Sequence, residues 1–134
     1  LARDVESQGA MGVVLNSPIS DLNLLAVSRV VDIPVIITVT KEDTNIQSRI
    51  DSGASILNVA CSTDTPRVVA KIREQFPDVP IIASGGAGKK EDFLELFHHK
   101  GIDAGLAAGI FHQKLLTIHD LKTYLNENGV EMRL

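Results

Sequence analysis

Two periodicities alternate along this chain, and few folds accept that alternation. Runs of strong β-formers at residues 13–16, 35–40, 56–61, 81–84 and 104–108 are short and almost continuously apolar, as strands covered on both faces must be. Between them apolar residues recur at helical spacing. Val68, Val69, Ile72 and Phe76 form one stripe, and Phe93, Leu94, Leu96 and Phe97 another. Strand and helix in strict alternation imply parallel strands joined by right-handed crossovers, an α/β chain. The punctuation agrees. Thr65 precedes Pro66, a cap followed by a residue whose missing N–H costs nothing at a helix start. Thr117 and Asp120 have the spacing of a capping box ahead of Ile118, Leu121 and Leu125. Gly9, Gly53, Gly101 and Gly129 fall where helices should stop.

A weak internal repeat overlies this order. Asp32-Ile33-Pro34-Val35-Ile36 leads into the second run and Asp78-Val79-Pro80-Ile81-Ile82 into the fourth, an offset of 46 residues (78 − 32). Glycines precede the odd-numbered runs at positions 9, 53 and 101, with offsets of 44 and 48 residues (53 − 9 and 101 − 53). A unit of two βα pairs, used a little more than twice, accounts for these spacings and suits a (βα)8 barrel or a piece of one. A complete barrel takes roughly 250 residues, so a chain of 134 excludes it. The expectation is one α/β domain over residues 1–134, with about five parallel βα units arranged as a partial (βα)8 barrel of TIM type. A flavodoxin-like doubly wound sheet is the alternative. The partial barrel would leave its inner face and two strand edges open, so it should self-associate into a homo-oligomer. The doubly wound sheet could live as a monomer.

Charge and composition narrow the partners. Lys+Arg of 13 against Asp+Glu of 17 gives a net charge of −4, which offers no field for nucleic acid. Aromatic residues make up 4% with no Trp, so no stacking platform for single strands is expected either. No apolar run approaches the ~20 residues of a membrane helix, and the most apolar stretch, residues 30–39, is interrupted by Asp32 and Pro34. The start, Leu1-Ala2-Arg3-Asp4, lacks both an initiator Met and an apolar signal region, and reads as a processed, excised or engineered piece. The one cysteine, Cys61, fits a reducing cytoplasm.

The most informative stretch is Ser84-Gly85-Gly86-Ala87-Gly88, directly after a strand and directly before Lys89-Lys90-Glu91-Asp92-Phe93. Glycines let backbone approach a ligand closely, and the following helix begins with about four unpaired N–H groups and roughly half a positive charge. Together they make an anion cradle, with Lys89 and Lys90 beside it. It is not a Walker loop, because Ala83 stands at the first glycine position and Lys90 where Ser or Thr would hold magnesium. A tight turn with nothing bound is the plainer reading. The next strand favours the ligand: Gly105-Leu106-Ala107-Ala108-Gly109-Ile110-Phe111-His112 is a small-residue strand running into a short turn. Barrels commonly grip phosphate with the loops after their last two strands and a short extra helix. The expected phosphate site is therefore the loop Gly85, Gly86, Ala87 and Gly88 together with the small-residue end of the following strand.

Residues 81–134, with the phrases IIASGGAGKKEDFLELF, DAGLAAGIFH and LKTYLNENGVEMRL, resemble the C-terminal end of the cyclase (synthase) subunit of imidazole glycerol phosphate synthase. The resemblance implies a (βα)8 barrel whose distal phosphate site is made by these segments, with backbone contacts at Gly85, Gly86, Gly88, Ala108 and Gly109. Members of that family often carry Ser where this chain has Gly109. It also implies a gap. The cyclase uses an Asp at the end of its first strand, for which this chain is too short. It uses another after strand five, where this chain reads Thr38-Val39-Thr40. The family's Asp-x-Asp-Gly segment corresponds to Ser62-Thr63-Asp64-Thr65, so only Asp64 matches. General acid–base work needs a donor and an acceptor at the substrate, and that pair is missing. Residues 1–80, with GVVLNSPISD, DIPVIITVT and GASILNVA, resemble instead a different, uncharacterised group of bacterial βα proteins. The chain thus reads as a composite, natural or engineered, with a seam near residues 80–86.

Other polar residues have ordinary expected roles. Cys61, at a strand end without an activating base nearby in sequence, reads as a small core residue. Lys41 reads as a solvated first-turn residue, and Asp21, Asp43 and Asp64 as helix-capping carboxylates. His98 and His99 point roughly 100° apart on a helix, the wrong spacing for shared ligation, and His112 and His119 lack partners, so no metal or other cofactor is expected. The functional expectation is a module that binds phosphate or a phosphorylated metabolite without catalysis of its own. Two alternatives stand beside it: a lyase-type cyclase fragment of histidine biosynthesis, and a structural or engineered piece whose phosphate site is a relic.

Overall fold

The structure, a computed structural model, describes residues 1–16, 18–62, 65–99 and 101–134. Five strands alternate with helices: α1 (Ala2–Ser7), β1 (Val13–Leu15), α2 (Asp21–Ser28), β2 (Val35–Val39), α3 (Ile46–Asp51), β3 (Ile56–Ala60), α4 (Thr65–Gln75), β4 (Ile81–Ser84), α5 (Lys90–His98), β5 (Ala104–Leu106), α6 (Gly109–His112) and α7 (Ile118–Glu127). All strand pairings are parallel, and the sheet order is β1-β2-β3-β4-β5. That order decides between the two expected architectures. A flavodoxin-like sheet reverses direction and takes the order 2-1-3-4-5, whereas an unbroken sequential order with right-handed crossovers puts the crossover helices on one face. The chain is a partial (βα)8 barrel, and the doubly wound alternative is excluded.

The expected strands are all present, with several ends shortened by one or two residues because their backbones turn into loop hydrogen bonds. Thr40 N–H, for example, donates to the Asp43 carboxylate at 2.7 Å instead of extending the ladder. The helical stripes are also found, with Val69, Ile72 and Phe93 buried. The repeat proves to be a repeated joint. Val13 N–H donates to Pro34 O and Leu57 N–H to Pro80 O, each at 3.0 Å, while Ser55 N–H reaches Val35 O and Asp103 N–H reaches Ile81 O, each at 2.9 Å. The Asp-x-Pro entry to β2 and to β4 thus presents the same carbonyls to the strands on either side.

Two apolar clusters hold the fold. The larger gathers Val13, Val35, Ile37, Val39, Leu57, Val59 and Ile81 from β1–β4 against Leu24 of α2 and Val69 and Ile72 of α4. It spans both sides of the expected seam, since Leu57 and Ile81 are register partners and both fully buried. The smaller joins Phe93 of α5, Ile110 of α6 and Leu121 and Leu125 of α7. Thr117 Oγ1 caps α7 by accepting from Asp120 N–H at 3.1 Å, as the capping box predicts. Away from the glycine-rich loops, at the N-terminal edge of the sheet, Arg73 ties the joints together. Its Nε donates to Gly101 O at 2.8 Å, Nη1 to Pro77 O at 3.1 Å and to Val79 O, and Nη2 to Asp103 Oδ2 at 2.5 Å. Gly101, at φ +103°, is required there, because a Cβ would lie 2.7 Å from Arg73 Cγ.

The opposite, inner face is not the uniformly covered surface that the apolar runs imply. Val14 is 51% and Leu106 49% exposed. A polar row crosses this face at one level: Asn58 Nδ2 donates to Thr38 Oγ1 at 3.1 Å, which donates to Asn16 Oδ1 at 2.9 Å. Asn58 is only 9% exposed, and its Oδ1 finds no donor. In a closed barrel this face would look inward.

Candidate phosphate-binding site

The expected site residues collect at the C-terminal ends of neighbouring strands. Ser84 and Leu106 are register partners, so the loops after β4 and β5 leave the sheet side by side. Gly85 N–H donates to Leu106 O at 3.1 Å, which fastens the two loops together. Gly85 and Gly86 hold φ of +91° and +80°, a region that other residues enter at a cost, so these two glycines are there for the turn. Gly85, Gly86, Gly88, Ala108 and Gly109 are exposed and Ala87 is half-buried. Gly109 is not forced by space, because a Cβ there meets nothing within 4 Å.

The structure redistributes the expected donors. The Gly85 N–H is spent on Leu106. Asp92 Oδ2 accepts from Gly88 N–H at 2.8 Å and from Lys89 N–H at 3.0 Å. Among the described residues, the N–H groups of Gly86 and Ala87 have no partner, and they are the loop's available donors. Ala108 precedes the single turn of α6, with its carbonyl accepting from Phe111 and His112 N–H. Lys90 does not reach toward the loop; its ammonium lies 4.5 Å from the centroid of the Tyr124 ring, a cation–π contact. Lys89 stays exposed.

A cleft of ≈ 400 Å³ opens between α4 and α5, with Cys61, Thr65, Gly86, Ala87, Asp92, Glu95 and His99 among its walls. It meets the 85–87 side of the loop and not Ala108 or Gly109. Cys61, expected in the core, stands half-buried on this wall. Burial pushes its thiol up from the ordinary cysteine value, partly offset by a hydrogen bond with Thr65, so the thiol stays protonated and unreactive near neutral pH.

Three further expectations need correcting. Asp21 does not serve mainly as a cap: Ser20 Oγ caps α2, while Asp21 accepts from Ser48 Oγ at 2.8 Å and pairs with Arg49 at 3.0 Å, tying α2 to α3. Asp43 closes the turn after β2 onto Thr40, and Asn45 is the residue that caps α3. Lys41 lies in that turn instead of a first helical turn. Asp64 lies outside the described residues. Asp92, the most consequential residue at the loop, was missed by sequence reasoning; an acid at the third helical position is the signal that could have found it. Among the described residues, no group of three His, Cys, Asp or Glu could hold a metal ion, and no helix is long and apolar enough to cross a membrane.

Sequential parallel βα units ending in two adjoining small-residue strand ends define the class: one side of a TIM-type barrel. Comparison with solved structures agrees. The chain is similar to tryptophan synthase from M. tuberculosis in its aminoacrylate-bound form, with a TM-score of 0.69 and 17% identity over 98% of this chain and 54% of that one. Residues 63–117 match the model of a family described as histidine biosynthesis protein. Similar proteins include imidazole glycerol phosphate synthase subunit HisF: that of Shewanella loihica is 60% identical over 57 residues, 42% of this chain and 22% of that protein. That of Saccharolobus solfataricus is 54% identical over 57 residues (42% and 23%), and that of Escherichia coli 52% over 64 residues (48% and 24%). The C-terminal part of this chain is thus similar to HisF, and the chain spans less than a quarter of those relatives' length. The family match begins at residue 63, ahead of the point where the resemblance starts in the sequence, and ends at 117, before the tail.

Proposed function

We propose that this chain binds phosphate, or the phosphate of a small phosphorylated metabolite, at the paired ends of β4 and β5, without completing a reaction alone. The observation that carries the reading is the side-by-side placement of the 85–88 and 108–109 loops, locked by the bond from Gly85 to Leu106. Gly86 and Ala87, whose N–H groups have no partner among the described residues, line the adjoining cleft, and the dipole of α5 adds positive potential. Barrel enzymes hold phosphate at this same corner, and the HisF-like segment covers it. Catalysis is absent from the proposal because Thr38-Val39-Thr40, at the end of β2 and just beyond it, holds no carboxylate where the cyclase that the chain resembles uses an Asp. Millimolar phosphate should raise the thermal midpoint of the chain, and Gly86→Asp should abolish that rise by placing a carboxylate on the loop. A midpoint unmoved by phosphate sinks the reading and leaves a relic site.

The open inner face calls for a partner, and the proposed partner is a second copy. Exposed Val14 and Leu106 on that face, with unpaired outer edges on β1 and β5, are surfaces that chains of this kind cover. Light scattering should return at least twice the 14.4 kDa chain mass. A well-behaved monomer refutes self-association.

A further inference from the structure

We propose that a second copy joins this one edge to edge, the outer side of β5 in each copy pairing in parallel with the outer side of β1 in the other. The proposal rests on the self-association reading above and adds its mode: strand beside strand, not inner face laid on inner face. Exposure separates the two modes. In the middle of the inner face the chain already covers itself: Ile36, Ile56 and Ile82 are partly buried and Asn58 is buried. The same face opens at its two sides, at Val14 of β1 and Leu106 of β5. A copy laid flat over the middle would set its surface on the polar row of Asn16, Thr38 and Asn58 and leave both strand edges unpaired.

Large apolar side chains follow the same division. Among the described residues, Val5 and Met11 stand exposed in the segment before β1, and Leu115 and Ile118 in the segment after β5. Between these flanks only Leu22 of α2 and Val30 of the turn after it do so. Neither edge strand is blunted, since Val13-Val14-Leu15 and Ala104-Gly105-Leu106 carry no charge and no proline, two devices that keep open edges from pairing. The edges also answer each other. All pairings are parallel and run in order from β1 to β5, so a copy in the same orientation offers its β1 as the next strand after β5. Size agrees: the chain covers 54% of the solved barrel chain, so two copies hold slightly more than one barrel's length. A head-to-tail contact made twice in this way closes on itself.

Light scattering of the full chain at one fixed concentration, with folding checked by circular dichroism, tests the mode. Wild type should run at twice 14.4 kDa. Val14→Lys and Leu106→Glu each place a charge in both seams of a pair, so each alone should fall to the single-chain mass. Leu22→Lys, which charges an exposed apolar site away from both edges, should keep the double mass. Mixing decides the geometry. A copy with Val14→Lys has a clean β5 edge and a copy with Leu106→Glu a clean β1 edge. Together they form one uncharged seam and one seam of opposite charges, so the mixture should regain the double mass. Val14→Gln and Leu106→Gln, polar without charge, repeat the single-variant test where a charged variant loses its fold. Pairs that survive in both edge variants, dissociate in Leu22→Lys, or fail to return on mixing overturn edge-to-edge pairing and leave self-association standing. A monomeric wild type overturns the self-association reading itself, and this mode with it.

Discussion

Phe93→Ala should lower the unfolding free energy by about 3–5 kcal/mol, the cost of emptying a buried aromatic site that collapses incompletely. Phe93 is 3% exposed at the centre of the smaller cluster. Its ring meets Phe111 of α6 with centroids 6.1 Å apart, and it packs on the backbone of β5, where a Cβ added at Gly105 would lie 3.4 Å from it. One side chain thus joins the helix behind the 85–88 loop, the turn after the 108–109 loop and the strand between them. The loss should be regional. Amide exchange should quicken first in α6 and α7, while β2 and β3, held by the other cluster, keep their protection. Phe93→Leu, which keeps most of the volume, should cost less than half as much. Urea denaturation followed by circular dichroism provides the measure, and a loss below 1 kcal/mol for the alanine variant would show that α5 and α7 are held by something other than this ring.

The second large effect lies at the opposite end of the sheet. Arg73→Ala should cost about 3 kcal/mol, because three backbone carbonyls, Gly101, Pro77 and Val79, lose a charged donor. The ion pair with Asp103 contributes little to that figure, since the Asp103 side chain is 55% exposed. The decisive comparison is Arg73→Lys. A lysine keeps the charge but lacks the planar fork that reaches several acceptors at once, so it should recover less than a third of the loss. Recovery of most of the stability by lysine would assign the effect to charge alone. Phosphate-dependent stabilisation should persist in both variants, because the latch and the glycine loop sit at opposite ends of the barrel wall.

Local pattern predicts most of the fold. The five apolar runs became five strands because each supplies an alternating row that packs on helices: Val35, Ile37 and Val39 in β2, Leu57 and Val59 in β3. Thr117 capped its helix because capping needs only residues three apart. Tertiary partners account for the failures. Asp21 near a helix start looks like a cap until Arg49 and Ser48, more than 25 residues away, claim both its oxygens. The inner face shows the same limit: Thr38 and Asn58 were absorbed into runs that read as apolar, and only the pairing of β2 with β3 reveals that they stand opposite each other. At the site, the place of the 85–88 loop between a strand and a helix was legible in the glycine run, while the allocation of its N–H groups depended on Leu106, a tertiary partner, and on Asp92, whose third helical position was the local signal.

The hydrogen bonds to Pro34 and Pro80 reach further than the repeat that revealed them. Each is made wholly by main chain, so these bonds between one βα unit and the next do not depend on which side chains the units carry. A proline sets the carbonyl ahead of the strand, and an apolar outer row does the remainder. A barrel wall assembled this way behaves as a set of interchangeable staves. The HisF-like segment and the front of this chain share one unbroken sheet through such main-chain joints, with buried apolar residues such as Leu57 and Ile81 closing the fit between staves.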